Sequence, residues 1–189
     1  MKRVYLAGPE VFMVEAREIG AAKRDICREH GLQGVFPLDA DIDLSHMDPQ
    51  AAGLTISQAN ETLIASCDIL IANMTPFRGP SMDVGTAFEM GFMRALGRPV
   101  FGYTNVEANY VERVAAFNGG KLSPKPEGQF VDKDGLIVED FGMTDNLMMV
   151  GAVLASDAEI VFGTSGELTS LVAFEECVKR AALGSHSSS

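Results

Sequence analysis

The chain has 189 residues, 47% of them hydrophobic, and its 26 acidic and 15 basic side chains give a net charge of -11. This length and hydrophobic content predict one domain with a well-buried core. The negative charge disfavours nucleic-acid polymers and anionic membranes as partners, because both are recognised through clustered Lys and Arg. Apolar runs stay short of the roughly 20 residues that cross a bilayer, and no secretory signal pattern opens the chain, so we expect a cytoplasmic protein.

The first hundred residues alternate short apolar runs with segments of helical periodicity. We predict strands at 3–8, 34–37, 69–73 and 99–103, and helices over 13–30, 55–66 and 83–96. Such βαβ alternation is typical of a parallel sheet with helices on both faces and right-handed crossovers. Residues 38–49 form an acidic, turn-rich loop that is too long for a simple connection and suggests a lid.

The pattern loosens after residue 105. A helical segment at 107–117, a Gly/Pro-rich stretch at 119–128 and a hairpin around 133–135 form an excursion. A helix at 145–154 that opens on Thr144, a last strand at 160–162 and an amphipathic helix at 166–183 follow. We therefore predict a single α/β domain over residues 1–183, built on a five-stranded parallel sheet, and a disordered tail at 184–189.

Metal ligands and reactive cysteines are not indicated. Cys27, Cys67 and Cys177 are widely spaced and form no Cys-x-x-Cys pair, so we expect buried free thiols. The histidines at positions 30, 46 and 186 share no zinc-ligand spacing. The acidic loop resembles a calcium site, but Leu44 and Gln50 stand where that site requires Gly and Glu. Its aspartates are Asp39, Asp41, Asp43 and Asp48.

Phosphate-binding motifs are absent. No G-x-G-x-x-G follows a strand, and neither G-x-x-x-x-G-K-[ST] nor G-x-S-x-G occurs. The ligand of this protein is therefore not held chiefly through phosphates, and no metal or organic cofactor is expected.

Three carboxylates instead flank the junction between the strand at 69–73 and the next helix, at Asp68, Asp83 and Glu89. Ligands of parallel α/β sheets bind where strands end and helices begin. Asp83 has the character of a helix N-cap, and only in that position would it border one pocket with Glu89, which lies six residues further. Glu89 is set among apolar and small residues, where a carboxylate needs a partner or a role.

Four blocks of the sequence together resemble the nucleoside 2-deoxyribosyltransferase family. They are VYLAGPEVF at 4–12, CDILIANMTPFRG at 67–79, DVGTAFEMG at 83–91 and DNLM at 145–148. The resemblance covers most of residues 2–162 and implies a flavodoxin-like, doubly wound fold. It also implies transfer of 2-deoxyribose between nucleobases through a covalent glycosyl intermediate.

The resemblance implies roles for individual residues. Glu89 falls on the nucleophile, Asp68 on the acid/base at the departing and arriving base, and Tyr5 on the hydroxyl that orients the nucleophile. Asp83 and Asn146 fall on the pair that holds the sugar hydroxyls, with Asn146 supplied by a neighbouring subunit, so a homo-oligomer is implied. Gly8, Phe12 and Asp39 are further candidates for substrate contact.

The chemistry agrees with these roles. A carboxylate captures the oxocarbenium-like centre from one face while a second carboxylic acid, about 5 Å away, protonates the leaving base. Glu89 then needs a hydrogen-bond donor such as Tyr5 to stay ionised, and Asp68 needs a drier site. Phe12 and Phe77 are candidates for walls against which the base stacks.

Two alternatives remain open. A 2-deoxynucleoside 5-monophosphate N-glycosidase of the same superfamily would need basic or hydroxyl groups for the phosphate, where this chain has Asp83, although Arg78 lies five residues upstream. A nucleoside-binding module without turnover would have no need of an ionised Glu89. Neither the purine or pyrimidine preference nor the size of the oligomer follows from the sequence.

Overall fold

The computed structural model describes residues 1–40 and 42–184. Its central sheet has five parallel strands in the order β2-β1-β3-β4-β8. The strands are β1 (Arg3–Ala7), β2 (Gln33–Val35), β3 (Ile69–Asn73), β4 (Val100–Thr104) and β8 (Val161–Phe162). The strand order reverses direction between β1 and β3, as in flavodoxin-like sheets. The predicted fold class is confirmed.

Helices cover both faces of the sheet. They are α1 (Ala16–Glu29), α2 (Pro49–Ala65), α3 (Val84–Ala95), α4 (Tyr110–Phe117), α5 (Leu147–Leu154) and α6 (Val172–Gly184). One core cluster joins the sheet to α2, α3 and α5, through Ile64, Met90 and Val153. The other joins it to α1 and α6, through Cys27 and Phe174. Each face of the sheet thus has its own apolar core.

The central strands are buried on both faces, which explains their continuous apolar sequences. Every residue of β3 is buried. Because side chains alternate along a strand, Tyr5 of β1 points into the cluster on the α3 side, and the next residue, Leu6, points into the cluster on the α1 side. This alternation decides which side chains of β1 can reach α3.

The excursion after α4 is a small antiparallel sheet. Its strands are β5 (Ser123–Pro124), β6 (Phe130–Val131) and β7 (Ile137–Val138), in that order. The predicted hairpin around residues 133–135 connects β6 and β7, and Gly135 supplies the left-handed backbone, with φ 81°.

Three predicted helix starts are wrong. Helix α2 begins at Pro49, six residues before its predicted start, because Asp48 caps it and accepts a hydrogen bond from the Ala51 amide. Helix α5 is capped by Asn146 rather than by the predicted Thr144. Helix α6 begins at residue 172 instead of 166, because Asn105 holds carbonyl groups of the 167–170 segment.

At its other end α6 includes Gly184 of the predicted tail, whereas residues 185–189 lie outside the described part.

The cysteines are free and buried, as predicted. Burial raises the pKa of the Cys27 and Cys177 thiols to about 12, so both stay protonated and unreactive near neutral pH. Across residues 1–40 and 42–184, no helix combines the length and apolar character needed to cross a membrane.

Candidate active site

A cavity of about 280 Å³ opens at the carboxyl ends of β1 and β2, beside the first turns of α3. This is the point where the strand order of the sheet reverses, which is where open α/β sheets bind ligands. The cavity is lined by Gly8, Val11, Phe12, Pro37, Leu38, Ile56, Asn60, Asp83, Gly85, Thr86 and Glu89. Its walls are mostly apolar and its polar groups few, as in small-molecule sites.

Glu89 lies in the second turn of α3 and accepts a hydrogen bond from the Tyr5 hydroxyl, with 2.6 Å between the two oxygens. Tyr5 comes from the middle of β1, so the contact joins residues 84 positions apart. Tyr5 is fully buried, and its pKa is raised by burial and by the nearby Glu89 carboxylate. Tyr5 therefore remains a hydrogen-bond donor at any physiological pH, as predicted.

The pKa of the Glu89 carboxyl is raised towards neutral pH. Burial raises its pKa to about 7, the negative charge of Asp83 raises it as well, and only the Tyr5 hydrogen bond lowers it. A carboxyl of this kind is half ionised near neutral pH. Carboxyl groups so strongly perturbed are typical of functional sites.

Asp83 is the N-cap of α3. Its Oδ2 accepts hydrogen bonds from the Thr86 amide at 2.8 Å and from the Thr86 hydroxyl at 3.0 Å. Capping turns the Asp83 side chain over the start of the helix, so that it borders the same cavity as Glu89, as predicted for an N-cap. Gly85 also lines the cavity, where the absence of a side chain leaves room for a ligand.

The segment after β1 forms another wall and depends on a buried ionic network that the sequence analysis missed. Glu10 is fully buried, pairs with Lys23, and its Oε1 accepts hydrogen bonds from Asn73 at 2.9 Å and Tyr103 at 3.0 Å. A side chain at Gly8 would place its Cβ 1.9 Å from Glu10 Oε2. A lysine on the apolar face of α1 was the available signal, because such a residue requires a buried partner.

Phe12 lines the cavity and stacks on Phe77. The two rings are 5.4 Å apart and inclined by 12°. The guanidinium of Arg78 lies 5.2 Å from the Phe12 ring and 4.7 Å from the Phe77 ring, a cation–π arrangement. The backbone of Arg78 is left-handed, with φ 55°. Of the two residues predicted to form an aromatic wall, Phe12 lines the cavity and Phe77 does not, and the stacked pair holds a cation beside Phe12.

Helix α2 forms the remaining wall, through Ile56 and Asn60. The two residues are four apart and therefore share one face of the helix. Both fall inside the helix predicted over 55–66, but the local sequence does not mark either of them as facing a cavity.

Asp68 is not in the cavity, so the predicted pairing of Asp68 with Glu89 is wrong. Asp68 precedes β3, at the amino edge of the sheet, where it is exposed and its carboxylate accepts a hydrogen bond from the Arg3 amide at 2.8 Å. It lines a separate groove of about 720 Å³ with Lys2 and Pro99. Strands of a parallel sheet run in one direction, so a residue before β3 and one after β1 lie at opposite edges.

Asp39 is also turned away from the cavity, which corrects its prediction as a substrate contact. Its carboxylate pairs with Arg24 and accepts a hydrogen bond from the Phe36 amide at 2.8 Å. Neighbouring Pro37 and Leu38 line the cavity instead.

Asn146 does not line the cavity of its own chain. Its Oδ1 caps α5 by accepting from the Met148 amide, and its Nδ2 donates to Glu139 at 2.9 Å. The preceding Asp145 is buried against Arg113 and accepts a hydrogen bond from the Met82 amide, next to Asp83. The start of α5 is thereby tied to the start of α3.

The acidic loop uses its aspartates locally. Asp43 bonds Ser45, Asp48 caps α2 and Asp39 pairs with Arg24, whereas Asp41 lies outside the described residues. In the described part of the chain, no group of three or more His, Cys, Asp or Glu side chains is arranged to hold a metal ion.

A family model described as nucleoside 2-deoxyribosyltransferase matches residues 4–148. An uncharacterised protein of Schizosaccharomyces pombe is 37% identical over 163 residues, which are 81% of this chain and 77% of that protein.

Two solved structures have similar folds. A 2-desoxiribosyltransferase from Leishmania mexicana superposes with a TM-score of 0.60 and 27% identity, over 79% of this chain and 85% of the other. A conserved protein from Enterococcus faecalis superposes with a TM-score of 0.52 and 20% identity, over 96% of this chain and 99% of the other. The second likeness concerns the fold alone.

Proposed function

The chain belongs to the nucleoside 2-deoxyribosyltransferase family, and we propose that it transfers 2-deoxyribose between nucleobases through a covalent intermediate on Glu89. The observation that carries this proposal is the contact between the Tyr5 hydroxyl and Glu89, made inside a cavity that Asp83 also borders. A carboxylate with its own donor, in a pocket of this size, is suited to nucleophilic attack.

The reaction proceeds by double displacement. In the first step, a Glu89 oxygen bonds to the anomeric carbon as the bond from that carbon to the base nitrogen breaks and its electron pair stays with the base. In the second step, a nitrogen of the incoming base attacks the same carbon, loses its proton to water and releases the Glu89 carboxylate, while water returns a proton to the departed base. Tyr5 holds the carboxylate in position during both steps, and Asp83 accepts a hydrogen bond from a sugar hydroxyl.

Transfer requires that the second base, rather than water, reaches the intermediate. Apolar walls such as Val11, Phe12 and Ile56 favour a planar base over water. In this proposal a neighbouring chain completes the site by contributing Asn146, which does not line the cavity of its own chain. The functional unit in this proposal is a homo-oligomer.

The test is an exchange assay. Deoxyinosine or thymidine is incubated with adenine or cytosine, and the products are separated into exchanged nucleosides and free deoxyribose. We expect exchanged nucleosides with the wild-type protein and none with Glu89→Gln or Glu89→Ala, while binding of the nucleoside stays measurable. Glu18→Gln, on the exposed face of α1, is the matched control and should exchange at the wild-type rate.

Undiminished turnover in Glu89→Gln would contradict the mechanism. Binding without any turnover by the wild-type protein would instead favour a nucleoside-binding module.

A second candidate, an N-glycosidase acting on 2-deoxynucleoside 5-monophosphates, is favoured by one observation. Arg78 is the cation beside Phe12 at the edge of the cavity, and guanidinium groups bind phosphate well. Asp83 opposes this candidate, because a carboxylate repels a phosphate. The same assay with a 5-monophosphate decides between them: Arg78→Ala should weaken turnover of the monophosphate much more than that of the nucleoside if the second candidate is right.

A further inference from the structure

The displacement of Asp68 from the cavity leaves the departing base without the acid that was predicted for it. Among the described residues that line the cavity, the ionisable side chains are Asp83 and Glu89. Asp83 caps α3, and Glu89 must attack the sugar. The group that meets the base therefore has to be sought on the other walls.

Asn60 is the polar side chain on the α2 wall. It shares that wall with Ile56, one turn earlier, and lines the same cavity as the carboxylates of α3. Its side chain is half-buried. Within residues 1–40 and 42–184, its amide makes no hydrogen bond to another protein group. An amide held at a cavity wall without a protein partner is available to a ligand.

The direction of displacement places the base on the side of the sugar that faces away from Glu89. The nucleophile and the leaving group occupy opposite faces of the anomeric carbon in a displacement. With the sugar against Glu89, the base is left to the other lining residues, among which apolar side chains such as Val11, Phe12 and Ile56 suit its flat faces. A primary amide has a donor and an acceptor side by side, which matches the hydrogen-bonding edge of a nucleobase.

We propose that Asn60 recognises the nucleobase and assists its departure by hydrogen bonding, as a neutral amide, instead of by proton donation. The inference rests on the proposed function, in that it takes the sugar to lie against Glu89. As the bond between a Glu89 oxygen and the anomeric carbon forms, the base leaves with the electron pair of the broken bond. The Asn60 N–H stabilises this negative charge and keeps its proton, and water supplies the proton that completes the free base.

The experiment compares three variants for binding and for turnover. Asn60→Leu removes the amide at similar volume, Asn60→Asp replaces it with an ionisable group, and Gln58→Leu makes the same kind of change on α2 about 200° away from the cavity wall. Binding of free adenine is measured by calorimetry, and exchange from deoxyadenosine to cytosine is followed between pH 5.5 and 9.

We expect Asn60→Leu to weaken adenine binding and to lower kcat/KM at least tenfold, the effect of one lost hydrogen bond to a charged group. Gln58→Leu should match the wild type in both. For the wild type, kcat/KM should only rise with pH, as Glu89 becomes ionised. For Asn60→Asp, kcat/KM should also fall at higher pH. The new carboxyl then acts as the acid, and it can donate a proton only while it is protonated.

Wild-type adenine affinity in Asn60→Leu would overturn the proposal, and so would a failure of the wild type to bind any nucleobase. A wild-type profile that already falls at high pH with deoxyadenosine would also overturn it, because a protein acid would then be acting. Adenine binding that depends on Asn60 in a protein without exchange activity would support Asn60 as the base contact and refute the transferase instead.

Discussion

At the scale of single residues, the site depends on the protonation of Glu89. Its pKa of about 7 results from burial, from the repulsion of Asp83 and from the opposing hydrogen bond of Tyr5. The Tyr5 hydroxyl comes from β1 and the Asp83 charge from the start of α3, so these two causes can be altered separately.

Tyr5→Phe should shift the pH dependence of turnover. The Tyr5 hydroxyl favours the ionised carboxylate by donating to it, so its removal raises the pKa of Glu89 above about 7. We expect the rising limb of kcat/KM against pH to move to higher pH, with a loss of about tenfold or more at pH 7. Tyr110→Phe, on α4 outside the cavity lining, is the control. An unmoved limb would show that the hydroxyl does not act on Glu89.

Glu89→Gln should stabilise the protein at alkaline pH. The pKa of Glu89 rises on folding from 4.5 to about 7, so between these values the folded chain holds more proton than the unfolded chain, and stability falls as pH rises. Gln keeps the acceptor for Tyr5 without the charge. We expect the free energy of unfolding to increase by about 1–3 kcal/mol at pH 8, with the gain shrinking towards pH 5.

Urea denaturation of both proteins at several pH values measures this effect. Glu18→Gln should show no such pH dependence. A gain of the same size at pH 5 and pH 8 would mean that the Glu89 charge is not the cause.

At the scale of elements, the geometry of the cavity is set by the segment between β1 and α1. Gly8 and Phe12 of this segment line the cavity. Glu10 fixes the segment to the protein core through its bonds to Lys23, Asn73 and Tyr103. The anchor lies on the opposite face of the sheet from Glu89. One short segment thus links the buried network to the wall of the site.

Gly8→Ala should disturb this link. The new Cβ would lie 1.9 Å from Glu10 Oε2 and 3.0 Å from Asn73 Cβ, and Glu10 is fully buried with its Oε1 bonded to Lys23, Asn73 and Tyr103. We expect a loss of about 1–3 kcal/mol in the free energy of unfolding, together with reduced nucleoside affinity.

Gly53→Ala is the matched control for this substitution. Gly53 lies inside α2 with no atom within 4 Å of an added Cβ. Alanine there should therefore raise the free energy of unfolding by about 0.5–1 kcal/mol. Thermal or urea denaturation of both variants measures the contrast. Equal effects of the two substitutions would show that the Glu10 anchor is not rigid.

At the scale of the whole molecule, two helices that pack together expose apolar side chains. Val84 and Phe88 of α3 are 84% and 58% exposed, and Met148 of α5 is 65% exposed. Val84 and Phe88 are four residues apart and share one face of α3. Apolar surface of this kind is typical of protein–protein interfaces, and its residue Met148 lies in the first turn of α5, next to Asn146.

Phe88→Glu should therefore break self-association. We expect the wild-type protein to sediment with a mass well above the 20.2 kDa of one chain, and the variant to approach that value, because a charge buried in an apolar interface is costly. Val14→Glu, at a residue that is 95% exposed outside this surface, should leave the mass unchanged.

Exchange activity, measured beside the sedimentation mass, tests whether the oligomer is needed to complete the site. If a neighbouring chain supplies Asn146, Phe88→Glu loses exchange activity together with mass, whereas Asn146→Ala loses activity and keeps its mass. A wild-type protein that sediments as a single active chain would contradict the cross-chain role of Asn146.

Local patterns in the sequence were sufficient for the order of strands and helices, for the N-cap role of Asp83 and for the need of Glu89 for a partner. Apolar periodicity and capping residues act over a few positions, so they are readable along the chain. The resemblance to the family supplied Tyr5 as that partner, and the structure places the two groups in contact.

Only the tertiary structure decided which side chains share the cavity. Asp68 stands next to an apolar strand, as a site residue would, but it precedes the strand and lies at the wrong edge of the sheet. Asn60 carries no local signal and reaches the cavity because α2 packs against α3. The edge of a parallel sheet and the orientation of a covering helix depend on contacts between distant residues, which a local pattern does not contain.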